Sequence, residues 1–240
     1  MDILIMLVLT LVAGMAMPAG ALLARVERIH PHWLETEFRH AVVAFGGGAL
    51  LSAVALVLVP QGAARLQAGT AALCFAGGGL AFMALDMLLY RLKTQAGQLA
   101  AMLSDFIPES LALGAAFAFG SQGGALLLAG LMALQNLPEG FNAFRELNGD
   151  RGRRAGQAIR AFTLMALLGP VAALTGYFWL SAYPELVSGI MLFAAGGILY
   201  SVFQDIAPQA VLKRHWAPPM GAVLGFLLGI IGHMLTGHGA

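Results

Sequence analysis

The chain has 240 residues, 59% of them hydrophobic and 10% charged, with a formal net charge of +1. A soluble domain carries roughly 25% charged residues, so the composition excludes that class, and the near-neutral balance argues against a nucleic-acid partner. The single cysteine, Cys74, excludes an internal disulfide; within "AALCFAGGGL" it reads as a small packing residue.

A membrane-spanning helix needs about 20 mostly apolar residues. Such segments run at roughly 3–24, 40–60, 70–90, 99–119, 123–144, 160–181, 186–206 and 218–236, which predicts an all-α integral membrane protein with eight transmembrane helices in one domain covering 1–240. Helix 1 is preceded by Asp2 rather than by a basic residue, so a retained helix is expected in place of a cleaved signal peptide. Helix 2 contains "FGGGALLSAVALVLVPQ" from Phe45, and helix 7 answers it without gaps with "FAAGGILYSVFQDIAPQ" from Phe193. "ALDML" in helix 3 matches "IGHML" in helix 8. Helices 2 and 7 run in opposite directions, so the pattern predicts an inverted repeat, helices 1–3 against 6–8, with 4 and 5 between the halves, a plan that transporters use. The glycines of "GGG" at 46–48 and 77–79, and Gly221, Gly225 and Gly229 in helix 8, read as faces of close helix packing.

Helices 4 and 5 are different. "SDFIPESLALG" places Asp105 and Glu109 one turn apart in helix 4, and "ALQNLPEGFNAF" places Gln135 and Glu139 one turn apart in helix 5. Residues four apart share a helix face, so four oxygen-bearing side chains are predicted to converge between two helices. Pro108 and Pro138 each remove a backbone donor and free a carbonyl one turn earlier, near Ser104 and Leu134. Carbonyls beside carboxylates are cation ligands, and irregular backbone at membrane depth is tolerated along a cavity. The alternative is a pair of kinked helices with protonated or paired carboxylates. Ionised groups at the bilayer centre cost at least about 2.5 kcal/mol each, which favours function.

Orientation follows from the basic residues, which are retained on the cytoplasmic side. Arg25, Arg28 and Arg39 lie in connection 1–2, Arg91 and Lys93 in 3–4, Arg145, Arg151, Arg153, Arg154 and Arg160 in 5–6, and Lys213 and Arg214 in 7–8. Only Arg65 is on the other side, so both termini are expected on the non-cytoplasmic side.

"DFIPES" and "QNLPEG", in the fourth and fifth of eight helices, resemble the paired metal-binding motifs of the ZIP (Zrt/Irt-like) divalent metal transporters, written H-N-x-P-E-G and H-x-x-P-E-G. "FQDIAPQ" at the end of helix 7 is similar to that family's acidic residue before Ile-x-Pro. The resemblance implies a divergent bacterial-type member in the inner (plasma) membrane, with Asp105, Glu109, Gln135 and Glu139 holding the metal. It also implies a homodimer and an elevator-like motion in which helices 1, 4, 5 and 6 carry the site against helices 2, 3, 7 and 8. Asp105 and Gln135 replace the family's histidines; Phe106, Asn136 and Gly169 stand where a second metal would find ligands, and Val57 where a histidine is frequent. One metal is therefore expected. The family implies zinc, with cadmium as a surrogate, whereas an all-oxygen ligand set favours manganese or ferrous iron.

Candidate pathway residues are Asn136, Ser104, Asp205 and Gln204, the last two reading equally as polar residues at a helix end. Asp86 and His233 occupy matching repeat positions and read as interfacial residues or a proton relay. His30, His32 and His215 read as solvated loop residues rather than metal collectors, and Met102, Met132 and Met165 as packing. No cofactor is expected, and no H-E-x-x-H, G-x-S-x-G or G-x-x-x-x-G-K pattern supports an enzyme or an ATP site. The competing reading is a proton- or sodium-coupled carrier of a small solute, which would need a pocket larger than one ion.

Overall fold

The computed structural model describes residues 2–26, 32–92, 96–119, 122–148, 155–211 and 216–237. It contains eight helical segments: α1 (Asp2–Val26), α2 (His32–Ala53, continued by a π-turn at Val54–Leu58 and an α-turn at Val59–Ala63), α3 (Ala68–Leu92), α4 (Ala96–Ala118), α5 (Gln122–Asn148), α6 (Ala155–Ala166 and Leu168–Phe178), α7 (Pro184–Ser201, a π-turn at Val202–Ile206, then Ala207–Ala210) and α8 (Ala217–Gly237). Each overlaps one of the segments expected from sequence, and there is no strand among the described residues. The spans within α1, α2, α3, α6, α7 and α8 are long and apolar enough to cross a membrane, which makes this an all-α membrane protein. α4 and α5 carry the acids and amides that interrupt their apolar runs.

The prolines act differently from the sequence expectation. α4 and α5 continue as α-helix through Pro108 and Pro138. A proline removes only one bond of the ladder, and Pro138 has space because α2 presents Gly46 to its ring. The irregular backbone lies instead in α2 and α7, before Pro60 and Pro208, where Val59 N–H reaches the Val54 carbonyl and Ala207 N–H reaches that of Val202. These wider turns lie where the next proline would crowd an ordinary α-turn. α6 is interrupted at Leu167 and resumes at Leu168; Pro170 cannot donate to the Ala166 carbonyl.

Packing is pairwise and close. α2 lies against α8, α3 against α7, α1 against α5, and α4 against the second half of α6. Glycine makes this approach necessary, since a methyl group on Gly48 would strike the Ala222 carbonyl and one on Gly225 would strike that of Phe45. On the other side of the bundle, Gly196 faces the Phe75 carbonyl and Gly78 that of Phe193. Where lipid supplies no hydrophobic drive between helices, such dispersion-rich backbone contact holds them together. Cys74 packs on Gly189, in keeping with its reading as a small packing residue. The apolar windows of α3 and α8 are only 11% and 17% buried against 67% in α2, so these two form the outer flank. α5 is central, touching α1, α2, α4, α6 and α8.

Candidate metal centre

α4 and α5 bring Asp105, Glu109, Gln135 and Glu139 to their shared boundary. Glu109 and Gln135 are fully buried, and the Gln135 amide nitrogen donates to both carboxylate oxygens of Glu109, at 3.0 Å to Oε1 and 2.9 Å to Oε2. Asp105 is 8% exposed and Glu139 half-buried; both line a cavity of about 80 Å³ beside that pair. Asp105 lies within electrostatic reach of Glu139, Glu109 and Asp205.

The polar atoms here are under-satisfied. Asp105 Oδ1, Gln135 Oε1, Glu139 Oε2 and Ser110 Oγ are buried without a hydrogen-bond partner. Burying a polar atom unpaired costs about 1–3 kcal/mol, and in folded proteins the large majority of such atoms are paired. Three of these four belong to the four residues singled out from sequence. Their oxygens suit a cation. Among the described residues, however, no three His, Cys, Asp or Glu side chains stand close enough to hold a metal together. The four residues form two layers, a Glu109–Gln135 pair in the core and Asp105 with Glu139 at the cavity wall, because the glutamine amide occupies the carboxylate that an ion would use.

The cavity continues outward past Asn142, Ser201, Asp205 and Gln209, the last two exposed. Of the candidate pathway residues only Asp205 lines it; Ser104 and Gln204 do not. Asn136 is 1% exposed and donates to the Ala13 carbonyl at 2.9 Å, so its amide ties α5 to α1. Asn142, Ser201 and Gln209 were overlooked in the sequence, although helical spacing signals them: Asn142 lies three residues after Glu139, and Ser201 and Gln209 lie four to either side of Asp205.

The positions at which the resemblance implies a second metal hold no ligand cluster among the described residues. Phe106 is fully buried, and its ring occupies the space into which a side chain at Gly169 or Gly14 would grow. The absent helix-6 side chain and the aromatic ring on α4 are two halves of one packing solution. Asp86 accepts a hydrogen bond of 3.1 Å from the Tyr200 hydroxyl, tying α3 to α7, and His233 is exposed on α8. His30 and His215 and the side chain of His32 lie outside the described residues.

Comparison with protein-family models and with curated proteins finds no match, so the reading of this centre rests on its own residues.

Proposed function

We propose that the chain is a transporter of a divalent metal of the ZIP type, carrying one ion through a site built from Asp105, Glu109, Gln135 and Glu139 between α4 and α5. The observation that carries this reading is the set of unpartnered oxygens of Asp105, Gln135 and Glu139 around a buried carboxylate, beside a cavity leading to exposed Asp205 and Gln209. An ion arriving at Asp105 and Glu139 reaches Glu109 when the Gln135 side chain turns its oxygen in place of its nitrogen. The cavity is far below the roughly 300 Å³ lower end of small-molecule pockets, which favours an ion over an organic solute.

Internal symmetry supports alternating access. Aligning Phe45 with Phe193 and "ALDML" with "IGHML" puts the two π-turns at the same place. It also carries the Gly48–Ala222 and Gly225–Phe45 contacts onto Gly196–Phe75 and Gly78–Phe193. The remaining helices behave alike: Gly20 against the Leu137 carbonyl corresponds to Gly176 against Leu111, and Gly140 against Met17 corresponds to Gly114 against Ala173. In that register Gln135 is the counterpart of Glu109, so their hydrogen-bonded pair straddles the axis relating the two halves. This favours the eight-span inverted repeat 1–3/6–8 around α4 and α5. The four close helix pairs fall within the groups 1, 4, 5, 6 and 2, 3, 7, 8, as an elevator-like division requires.

The counterparts of Asp105, Glu139 and Asp205 are Leu131, Leu113 and Val57, all buried. Acids therefore open the site toward the end that carries Arg39 and Arg145, and apolar side chains close it toward the end that carries Arg65. With the arginine-rich end cytoplasmic, this is an inward-open state of a carrier that delivers zinc, manganese or ferrous iron to the cytoplasm, in the inner membrane and as a dimer by resemblance. Metal analysis of protein purified without chelator tests the reading: about one equivalent of a transition metal per chain is expected, and metal-free protein that also fails to bind added zinc, manganese or iron overturns it.

A further inference from the structure

We infer that a pocket at the Arg65 end of the bundle is the closed outer entrance of the metal path, and that Arg65 stacked on Phe119 is its latch. This assignment rests on the transport reading and adds where the ion enters and what bars it. Arg39, Asn142, Arg145 and Gln209 line the pocket beside the acid cavity, and the two amides are shared with that cavity. In the register that pairs Phe45 with Phe193 and Glu109 with Gln135, their counterparts are Val187, Ala116, Phe119 and Gln61. All four counterparts line a single cavity of about 230 Å³ at the opposite end. The register comes from glycine contacts inside the helices, and none of those glycines lines either of these two pockets, so the matching linings are an independent observation.

The pocket lies between the two helix groups. Gln61 and Arg65 belong to the end of α2, and Ser188 and Met191 to α7, whereas Ala116 lies in α4 and Phe119 directly follows it. Glu109, Leu113 and Ala116 share one face of α4 by their spacing of four and then three residues. The pocket is thus in line with the buried carboxylate and separated from it by the layer of Leu113, Leu131 and Val57, each at most 1% exposed. Ser188 and Ala116 are buried as well, so solvent reaches them freely only when the groups part.

At this pocket the Arg65 guanidinium lies over the Phe119 ring, 5.1 Å from its centroid. The quadrupole of an aromatic face attracts a cation, and here the cation and the ring belong to different helix groups. The contact therefore holds only while the outer end is closed. Its strength suits a latch, because an exposed pair of this kind shifts an equilibrium by about two- to fivefold, which biases two states without locking either. Arg65 is also the one Lys or Arg of the sequence that falls at this end. A dication at the mouth meets that charge first, so the latched end repels the cargo as well as blocking it.

Thiol labelling of the full chain in metal-free nanodiscs tests the latch, with 2-(trimethylammonium)ethyl methanethiosulfonate as the reagent. Ser188→Cys reports on the pocket and Val57→Cys on the layer beneath it, each in a Cys74→Ala background. Adding Arg65→Gln or Phe119→Leu is expected to speed labelling at both positions about two- to fivefold; the leucine keeps apolar bulk and removes the ring face. Arg65→Lys and Phe119→Tyr, which retain a cation and a ring, are expected to stay near the starting rate. Both changes break one contact, so the Arg65→Gln/Phe119→Leu double variant is expected to label no faster than either single one. Arg65 is exposed, so its variants keep the fold, and their thermal midpoints verify this. Unchanged labelling in both single variants, acceleration at Ser188→Cys alone, or additive acceleration in the double variant overturns the latch. Zinc binding by the same protein judges the metal reading separately: bound zinc with any of those results keeps the metal site and removes the latch, and coupled acceleration without zinc binding keeps the latch and removes the metal.

Discussion

Glu109 and Gln135 form a mutually dependent pair. The amide is the only side-chain hydrogen-bond donor that the Glu109 carboxylate has among the described contacts, so Gln135→Leu leaves a buried acid without it. The variant is expected to lose about 1–3 kcal/mol of stability and to bind metal more weakly, measured by thermal unfolding in detergent with and without zinc; unchanged stability would mean that the pair is incidental. At Asp105 the expectation concerns selectivity. Asp105→His adds a borderline-soft nitrogen ligand, so competition binding is expected to shift from manganese toward zinc and cadmium. An unchanged ranking would place Asp105 outside the coordination sphere. That these residues are candidates is legible in the sequence because an acid one turn from another polar group, inside a hydrophobic run, has few structural uses. What the sequence conceals is the present pairing. Helical spacing puts Gln135 and Glu109 on facing surfaces, but which atom of the amide faces the carboxylate depends on the position of one helix along the other.

Helices are legible for a simpler reason. A bilayer-length apolar run has one way to satisfy its backbone, and all eight expected segments are helical. The internal irregularities are less legible, since every proline in an apolar run carries the same warning. Pro60 and Pro208 follow π-turns, Pro170 follows a break, and Pro108 and Pro138 lie within continuous helix. Neighbouring helices decide among these outcomes, as Gly46 does for Pro138. The glycine contacts give an element-scale prediction. Gly225→Leu forces α8 away from the Phe45 carbonyl of α2 and is expected to cost about 1–3 kcal/mol or more, whereas the same change at Gly130, where the space is open, is expected to be nearly neutral. Comparable thermal midpoints for the two variants would contradict the packing argument. Phe106 and Gly169 make a linked pair: Gly169→Glu alone is expected to destabilise by collision with the Phe106 ring, and combining it with Phe106→Asn to restore folding and raise metal content from one equivalent to two.

At the scale of the molecule, the proposed inverted repeat rests on the Gly–carbonyl contacts, since the two halves of the chain share few identical residues. The asymmetry is functional in this account, because acids line one approach to the Glu109–Gln135 pair and Leu113, Leu131 and Val57 close the other. The most direct test of the central claim is uptake of radioactive zinc and manganese by proteoliposomes containing the wild type, Glu109→Ala or Glu139→Ala, with each variant first confirmed as folded by its elution as a single species in detergent. The account predicts saturable uptake by the wild type and a fall of at least about 100-fold in each variant, beyond the effect of losing an outer contact of a metal site. Uptake at the wild-type rate in either alanine variant would contradict it.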